Sequence, residues 1–205
     1  MSESVSEKLK KELFSNPENG RKTASEEVLK EADSYAEGYK DFLDRAKTER
    51  EAVETAIELA KNNGFVEFDR NKKYNAGDKV YFNNRGKSLA LAVIGREAVE
   101  SGVNISAAHI DSPRLDLKPN PLYEELELAL FKTHYYGGIK KYQWTAIPLS
   151  LHGVFVLKDG TVKKVSIGEE EDEPKFVIND LLPHLAQEQS KRTLSEGIKG
   201  EELNV

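Results

Sequence analysis

At Gly64 the spacing of apolar residues changes from a helical to a strand-like period, and that change limits the folds open to the chain. Before it, Val28, Ala32, Tyr35, Ala36, Tyr39, Phe42, Leu43 and Ala46 recur at helical spacing, and Val53, Ala56, Ile57 and Ala60 do so again. Thr23-Ala24-Ser25-Glu26 and Thr48-Glu49-Arg50-Glu51 each place a hydroxyl three residues before a carboxylate, the pattern of a capping box. One helix therefore ends and another begins near residue 47, and Asn62-Asn63-Gly64 stops the second. A shorter helix is expected over Val5–Phe14. The tyrosines at helical spacing read as core rather than as a ligand box.

After Gly64, Phe65–Phe68 is strand-like, and Lys79–Phe82 and Ser88–Ile94 flank Asn83-Asn84-Arg85-Gly86 as a hairpin. Leu89–Ile94 is apolar on both faces, which predicts a central strand. Gly95–Gly102 is a connection, and Val103–Ala108 reads as a buried strand that Pro113 stops. This half predicts an α/β layer of amino-terminal helices on a mixed sheet. Lys118-Pro119-Asn120-Pro121 should break regular structure and divides the chain into domains 1–118 and 119–205.

The second part is β-rich. Leu126–Tyr135 is strand-like, Tyr136-Gly137-Gly138 a turn, and Leu149–Leu157 meets Thr161–Ile167 across Lys158-Asp159-Gly160. Phe176–Ile178 is a short strand, a helix runs from Asn179 or Asp180 to about Gln189, and Leu203-Asn204-Val205 begins another strand. The acidic run Glu169–Glu173 lacks the spacing of a calcium loop and reads as a solvated tip.

Composition removes several functions. The net charge is −6 and no basic face stands out, which argues against nucleic acid as a partner. Cysteine is absent, so disulfides and thiolate metal sites are excluded, and any metal must rest on His, Asp and Glu. Met1–Leu13 has no apolar core of a signal peptide, and no run approaches the ~18 apolar residues of a membrane span. A cytoplasmic location is the expectation.

The chemistry centres on Ser106-Ala107-Ala108-His109-Ile110-Asp111-Ser112-Pro113-Arg114-Leu115-Asp116. Strand alternation puts His109 and Asp111 on one face, at the strand's carboxyl end where open α/β sheets place ligands. A carboxylate there can fix one imidazole nitrogen and leave the other for a metal. The same spacing also suits a core histidine satisfied by its neighbour. The other histidines are His134, His152 and His184, and none has paired-ligand spacing, whereas a catalytic zinc site needs at least three protein ligands. Glu124 and Glu125 face opposite ways on a strand and make a poor acid/base pair. No serine or cysteine nucleophile motif and no phosphate-binding glycine loop is present.

The run from Ala107 to Lys118, with its His-x-Asp-Ser-Pro core, resembles the first metal-ligand motif of the M18 aminopeptidases, the aspartyl aminopeptidase family. The likeness continues through Tyr136-Gly137-Gly138, Trp144, Pro148–Val156 with His152-Gly153, and Ile178-Asn179-Asp180-Leu181-Leu182-Pro183-His184-Leu185. The resemblance implies a co-catalytic two-zinc exopeptidase acting on acidic or neutral amino-terminal residues of peptides. In it, an α/β peptidase domain is interrupted by a β-rich dimerisation domain. It implies that His109 is a zinc ligand, that Asp111 orients it, and that His184 reaches the active site of a partner subunit. Family members assemble as dimers built up to a dodecamer.

Family members are about twice as long, and their remaining metal ligands and general-base Glu follow the dimerisation domain. The resemblance therefore implies a fragment inactive by itself. A non-catalytic homo-oligomerisation or regulatory module is the competing reading.

Overall fold

The computed structural model describes residues 4–15 and 17–205, so the start of the Met1–Leu13 stretch lies outside the described residues. The described residues up to Arg45 form one compact unit and Ala46–Val205 a second.

In the first unit, α1 (Val5–Leu13) opens on a capping box in which Ser4 and Glu7 exchange hydrogen bonds. Next come α2 (Gly20–Thr23), capped by Asn19, and α3 (Glu26–Arg45). The expected box at Thr23 is displaced. Thr23 closes α2, and the Ser25 hydroxyl accepts from the Val28 N–H at 3.3 Å to start α3. The expected core stripe of α3 is also corrected, because Val28, Tyr35, Tyr39 and Leu43 are exposed and the helix buries no residue.

In the second unit, α4 (Glu49–Asn62) forms where its caps predict. Both capping-box bonds between Thr48 and Glu51 are present, and Gly64 takes the positive φ that ends the helix. Ala52, Val53, Thr55 and Ala60 are its buried side, and α4 packs on a three-stranded sheet of β1 (Val66–Glu67), β2 (Lys79–Asn84) and β3 (Ser88–Val93). β1 is parallel to β2, and β2 pairs antiparallel with β3 across Arg85 and Gly86, both at positive φ. β3 is an edge strand with most of its residues exposed, not the central strand its apolar sequence predicts. No described strand pairs with its outer edge.

The same lack of a pairing partner changes the next segment. Residues 103–113 form no strand and, apart from the half-buried Asp111, run exposed, with Ile105 at 82%. A strand needs a ladder neighbour for its N–H and C=O groups, and none of the described strands provides one here.

β4 (Arg114–Glu125) pairs antiparallel with β5 (Leu128–Tyr136). Lys118–Pro121, expected to break regular structure, lies inside β4, where the register shifts between Leu117 and Leu122. Proline cannot donate to the ladder, so the strand bulges instead of ending. The β4–β5 turn is Leu126-Glu127, both at positive φ.

β6 (Leu151–Val156) and β7 (Val162–Ile167) form the hairpin expected at Lys158-Asp159-Gly160. Phe176 bridges Leu149, and Ile178, Ile198 and Leu203 form the core, with Leu115, Trp144 and Val205 packed against it. Val205 exchanges backbone hydrogen bonds with Phe131, and the Thr133 hydroxyl donates to the Leu203 carbonyl. The strand expected at Leu203–Val205 does not form: a single 3-10 turn, Gly200–Glu202, precedes that segment, and among the described residues the Val205–Phe131 pair is its one backbone tie to β5.

The helix expected through Gln189 does not form. Pro183 lacks an N–H and disfavours helical backbone at Leu182, and the segment becomes successive turns.

Candidate metal centre

His109 projects from the exposed segment before β4, with its side chain 84% accessible. Its Nδ1 donates to the Asp111 carbonyl oxygen at 2.9 Å. A carbonyl only accepts, so Nδ1 carries the proton, and Nε2 of the neutral ring presents a free lone pair to solvent. The Asp111 carboxylate, which strand alternation suggested as the orienting group, lies 3.6 Å from Nδ1. That is too far for a hydrogen bond.

The carboxylate turns instead toward Tyr136 at the end of β5, whose hydroxyl donates to Asp111 Oδ2 at 2.6 Å. That bond, and after it Asp111's own backbone N–H, hold the carboxyl below its ordinary range; the same bond raises Tyr136 above its own. The Arg114 guanidinium lies over the Tyr136 ring, 4.3 Å from its centroid, and donates through Nε to Asp116 at 2.8 Å. Arg114 also faces Glu49 of α4 at 3.8 Å. Gly137, at φ +77°, lies against Pro113, where a Cβ would stand 3.4 Å from the proline ring. The segment carrying His109 is therefore braced by the end of β5. The sequence marked Tyr136 as part of a turn and of the family likeness but gave it no role at the site, and its hydroxyl contact crosses 25 residues.

His184 lies in the turns after Phe176, exposed, among the exposed Leu181, Leu182 and Leu185. Among the described residues no hydrogen bond or ion pair joins it to His109 or Asp111. His134 stacks on Tyr135 with ring centroids 5.6 Å apart. His152 is engaged by Glu51 and Glu169.

An imidazole nitrogen with its second nitrogen anchored is a donor of the kind zinc takes. His109 fits that part. Among the described residues no group of three or more His, Cys, Asp or Glu side chains gathers to hold an ion. Among the described residues, then, the donor-type geometry is that of a single imidazole and not of a coordination set.

The family model described as aminopeptidase I zinc metalloprotease (M18) matches residues 42–204. A Clostridium acetobutylicum protein named "Probable M18 family aminopeptidase 1" is 46% identical over 95% of this chain, which spans 43% of that relative. The crystal structure of an M18 aminopeptidase from Thermotoga maritima superposes with a TM-score of 0.84 at 42% identity. It covers 93% of this chain and 41% of its own. Aminopeptidase I from Borrelia burgdorferi gives a TM-score of 0.77 at 44% identity, over 81% of this chain and 41% of its own. The chain thus spans less than half the length of these relatives.

Proposed function

Because this chain belongs to the aminopeptidase I zinc metalloprotease (M18) family, we propose that it is the metal-donating amino-terminal part of a zinc-dependent aminopeptidase. The substrate class is peptides with acidic or neutral amino-terminal residues. The observation that carries this reading is the anchored His109 ring, with Nδ1 on the Asp111 carbonyl and Nε2 open to solvent.

His109 would be the zinc ligand, and Asp111 sets its tautomer. Bound zinc would lower the pKa of a coordinated water and polarise the scissile carbonyl. His184 is the residue that would reach a partner subunit's site, where a preorganised donor stabilises developing oxyanion charge. Its exposed position among Leu181, Leu182 and Leu185 suits an interface. Residues 119–205 are the proposed dimerisation domain, on the way to a dodecamer, and two zinc ions the proposed complement of the assembled enzyme. By itself the chain would bind zinc weakly and leave peptides uncut. No helix among the described residues is long and apolar enough to cross a membrane, and a cytoplasmic location belongs to the same proposal.

The test mixes this chain with a polypeptide supplying the remaining length of the Clostridium acetobutylicum relative. Zinc-dependent release of amino-terminal residues from the mixture, lost on His109→Ala, is expected. Peptide hydrolysis by this chain alone would overturn the fragment reading. Self-association without any complementation would point to a non-catalytic assembly module.

A further inference from the structure

His152 stands at the start of β6 with its side chain 10% accessible and a carboxylate on either side. Nδ1 lies 2.9 Å from Glu51 Oε1, and Nε2 lies 2.7 Å from Glu169 Oε1. Both carboxylates hold other donors. The Thr48 backbone N–H and hydroxyl each donate to Glu51 Oε2 at 2.9 Å, and the Ser150 hydroxyl donates to Glu169 Oε1 at 2.6 Å. The Ser150 bond, and after it the one to His152, hold the Glu169 carboxyl below its ordinary range. Carboxylate oxygens accept only, so an imidazolium satisfies both with its two N–H groups, while Ser150 Oγ also lies 3.2 Å from Nε2. A neutral ring would set a lone pair against a carboxylate oxygen.

The three groups come from different elements. Glu51 is on the first turn of α4, His152 on β6, and Glu169 in the loop after β7. The acidic edge of α4 makes two further joints alongside, Glu49 with Arg114 of β4 at 3.8 Å and Glu54 with Lys164 of β7 at 2.6 Å. These elements wall a cavity of about 620 Å³ that His152 lines with Arg50, Lys87 and Asp116. Lys47 acts on Glu169 from before α4. Glu173 accepts from the N–H groups of Gly168, Glu169 and Glu170, and Lys175 donates to the Gly168 carbonyl, so the loop carrying Glu169 is itself held.

We propose that His152 is a pH-sensitive pin: as the imidazolium it fastens the first turn of α4 to the β6–β7 hairpin, and on losing a proton it lets the cavity wall between them open. The joints at Arg114 and Lys164 do not pass through His152, so the wall loosens without the unit unfolding. Burial opposes the charge on His152, but the hydrogen bonds to Glu51 and Glu169 outweigh it and hold the ring above its ordinary value. The pin is therefore fully engaged below the unfolded-state value near pH ~6.5 and is lost as pH rises through the higher folded value.

The experiment follows the His152 Cε1–H resonance by NMR from pH 5 to 10, alongside amide-exchange protection corrected for intrinsic rates. The expected result is a His152 midpoint above the ordinary imidazole value and a loss of protection at the start of α4 and in the hairpin as His152 deprotonates. The loss approaches tenfold for each unit separating the folded from the ordinary value. In His152→Gln, protection at pH 6 should already match the high-pH level and its pH dependence should vanish. Should that variant not fold, Glu169→Gln serves, and His152 should then titrate at lower pH. A His152 that titrates at the ordinary value, unchanged protection across the transition, or an unshifted midpoint in Glu169→Gln would overturn the proposal.

Discussion

The Tyr136 hydroxyl donates to Asp111 Oδ2 at 2.6 Å, tying the end of β5 to the segment that carries His109. This bond is the largest of the influences holding the Asp111 carboxyl below its ordinary range. In Tyr136→Phe the ring and its Arg114 contact remain while the donor is gone. The Asp111 carboxyl should then titrate closer to the ordinary aspartate value, read from its side-chain carbon resonance. An unchanged midpoint would show that the bond does not form in solution.

Thr48→Ala should destabilise the chain by about 1 kcal/mol, measured by denaturant unfolding. It removes the hydroxyl that accepts from the Glu51 N–H at 3.4 Å and that donates to the Glu51 carboxylate. A neutral result would mean that the box does not limit the stability of α4.

The β4–β5 turn holds Leu126 and Glu127 at φ 51° and 64°, where side chains are disfavoured, and Leu126 is almost fully exposed. Replacing the pair by Asn-Gly, which suits a two-residue hairpin, should stabilise by about 1 kcal/mol. The backbone N–H at position 127, which donates to Glu124 Oε1 at 2.8 Å, is not removed by the replacement. A shift in the opposite direction would contradict the turn geometry.

Ile178→Ala should cost roughly 2–5 kcal/mol, because Ile178 is 1% exposed and sits at the centre of the core cluster with Ile198 and Leu203. Thermal unfolding measures this. A loss below about 0.5 kcal/mol would place the core elsewhere.

Local signals survived into the structure where a few neighbouring residues determine them. Thr48 and Glu51 cap α4 through a reciprocal exchange only three residues long, and the Gly86 and Gly160 turns occur within single hairpins. Readings that needed a distant neighbour fared otherwise. Val103–Ala108 has the composition of a buried strand but pairs with no described strand, and β3 is left at an edge. Leu126-Glu127 turns without a turn residue because the two strands it joins impose the geometry. Pro119 and Pro121 were absorbed as a bulge because β5 still pairs on either side of them.

The candidate site was legible only in part. His109 and Asp111 could be paired from their spacing, but that the carbonyl takes Nδ1 depends on Tyr136 drawing the carboxylate aside. The His152 cluster joins residues 101 and 17 positions apart, and no local pattern announces it. Glu169, read as a part of a solvated tip, is one of its anchors.

The central claim is that His109 Nε2 is a metal donor. Zinc titration of the ¹⁵N-histidine-labelled chain tests it, with the nitrogen resonances of all four histidines followed together. The account predicts that His109 Nε2 responds first, that Nδ1 keeps its proton, and that the response disappears in His109→Ala. A His109 ring indifferent to zinc, with the metal taken up elsewhere or not at all, would contradict it.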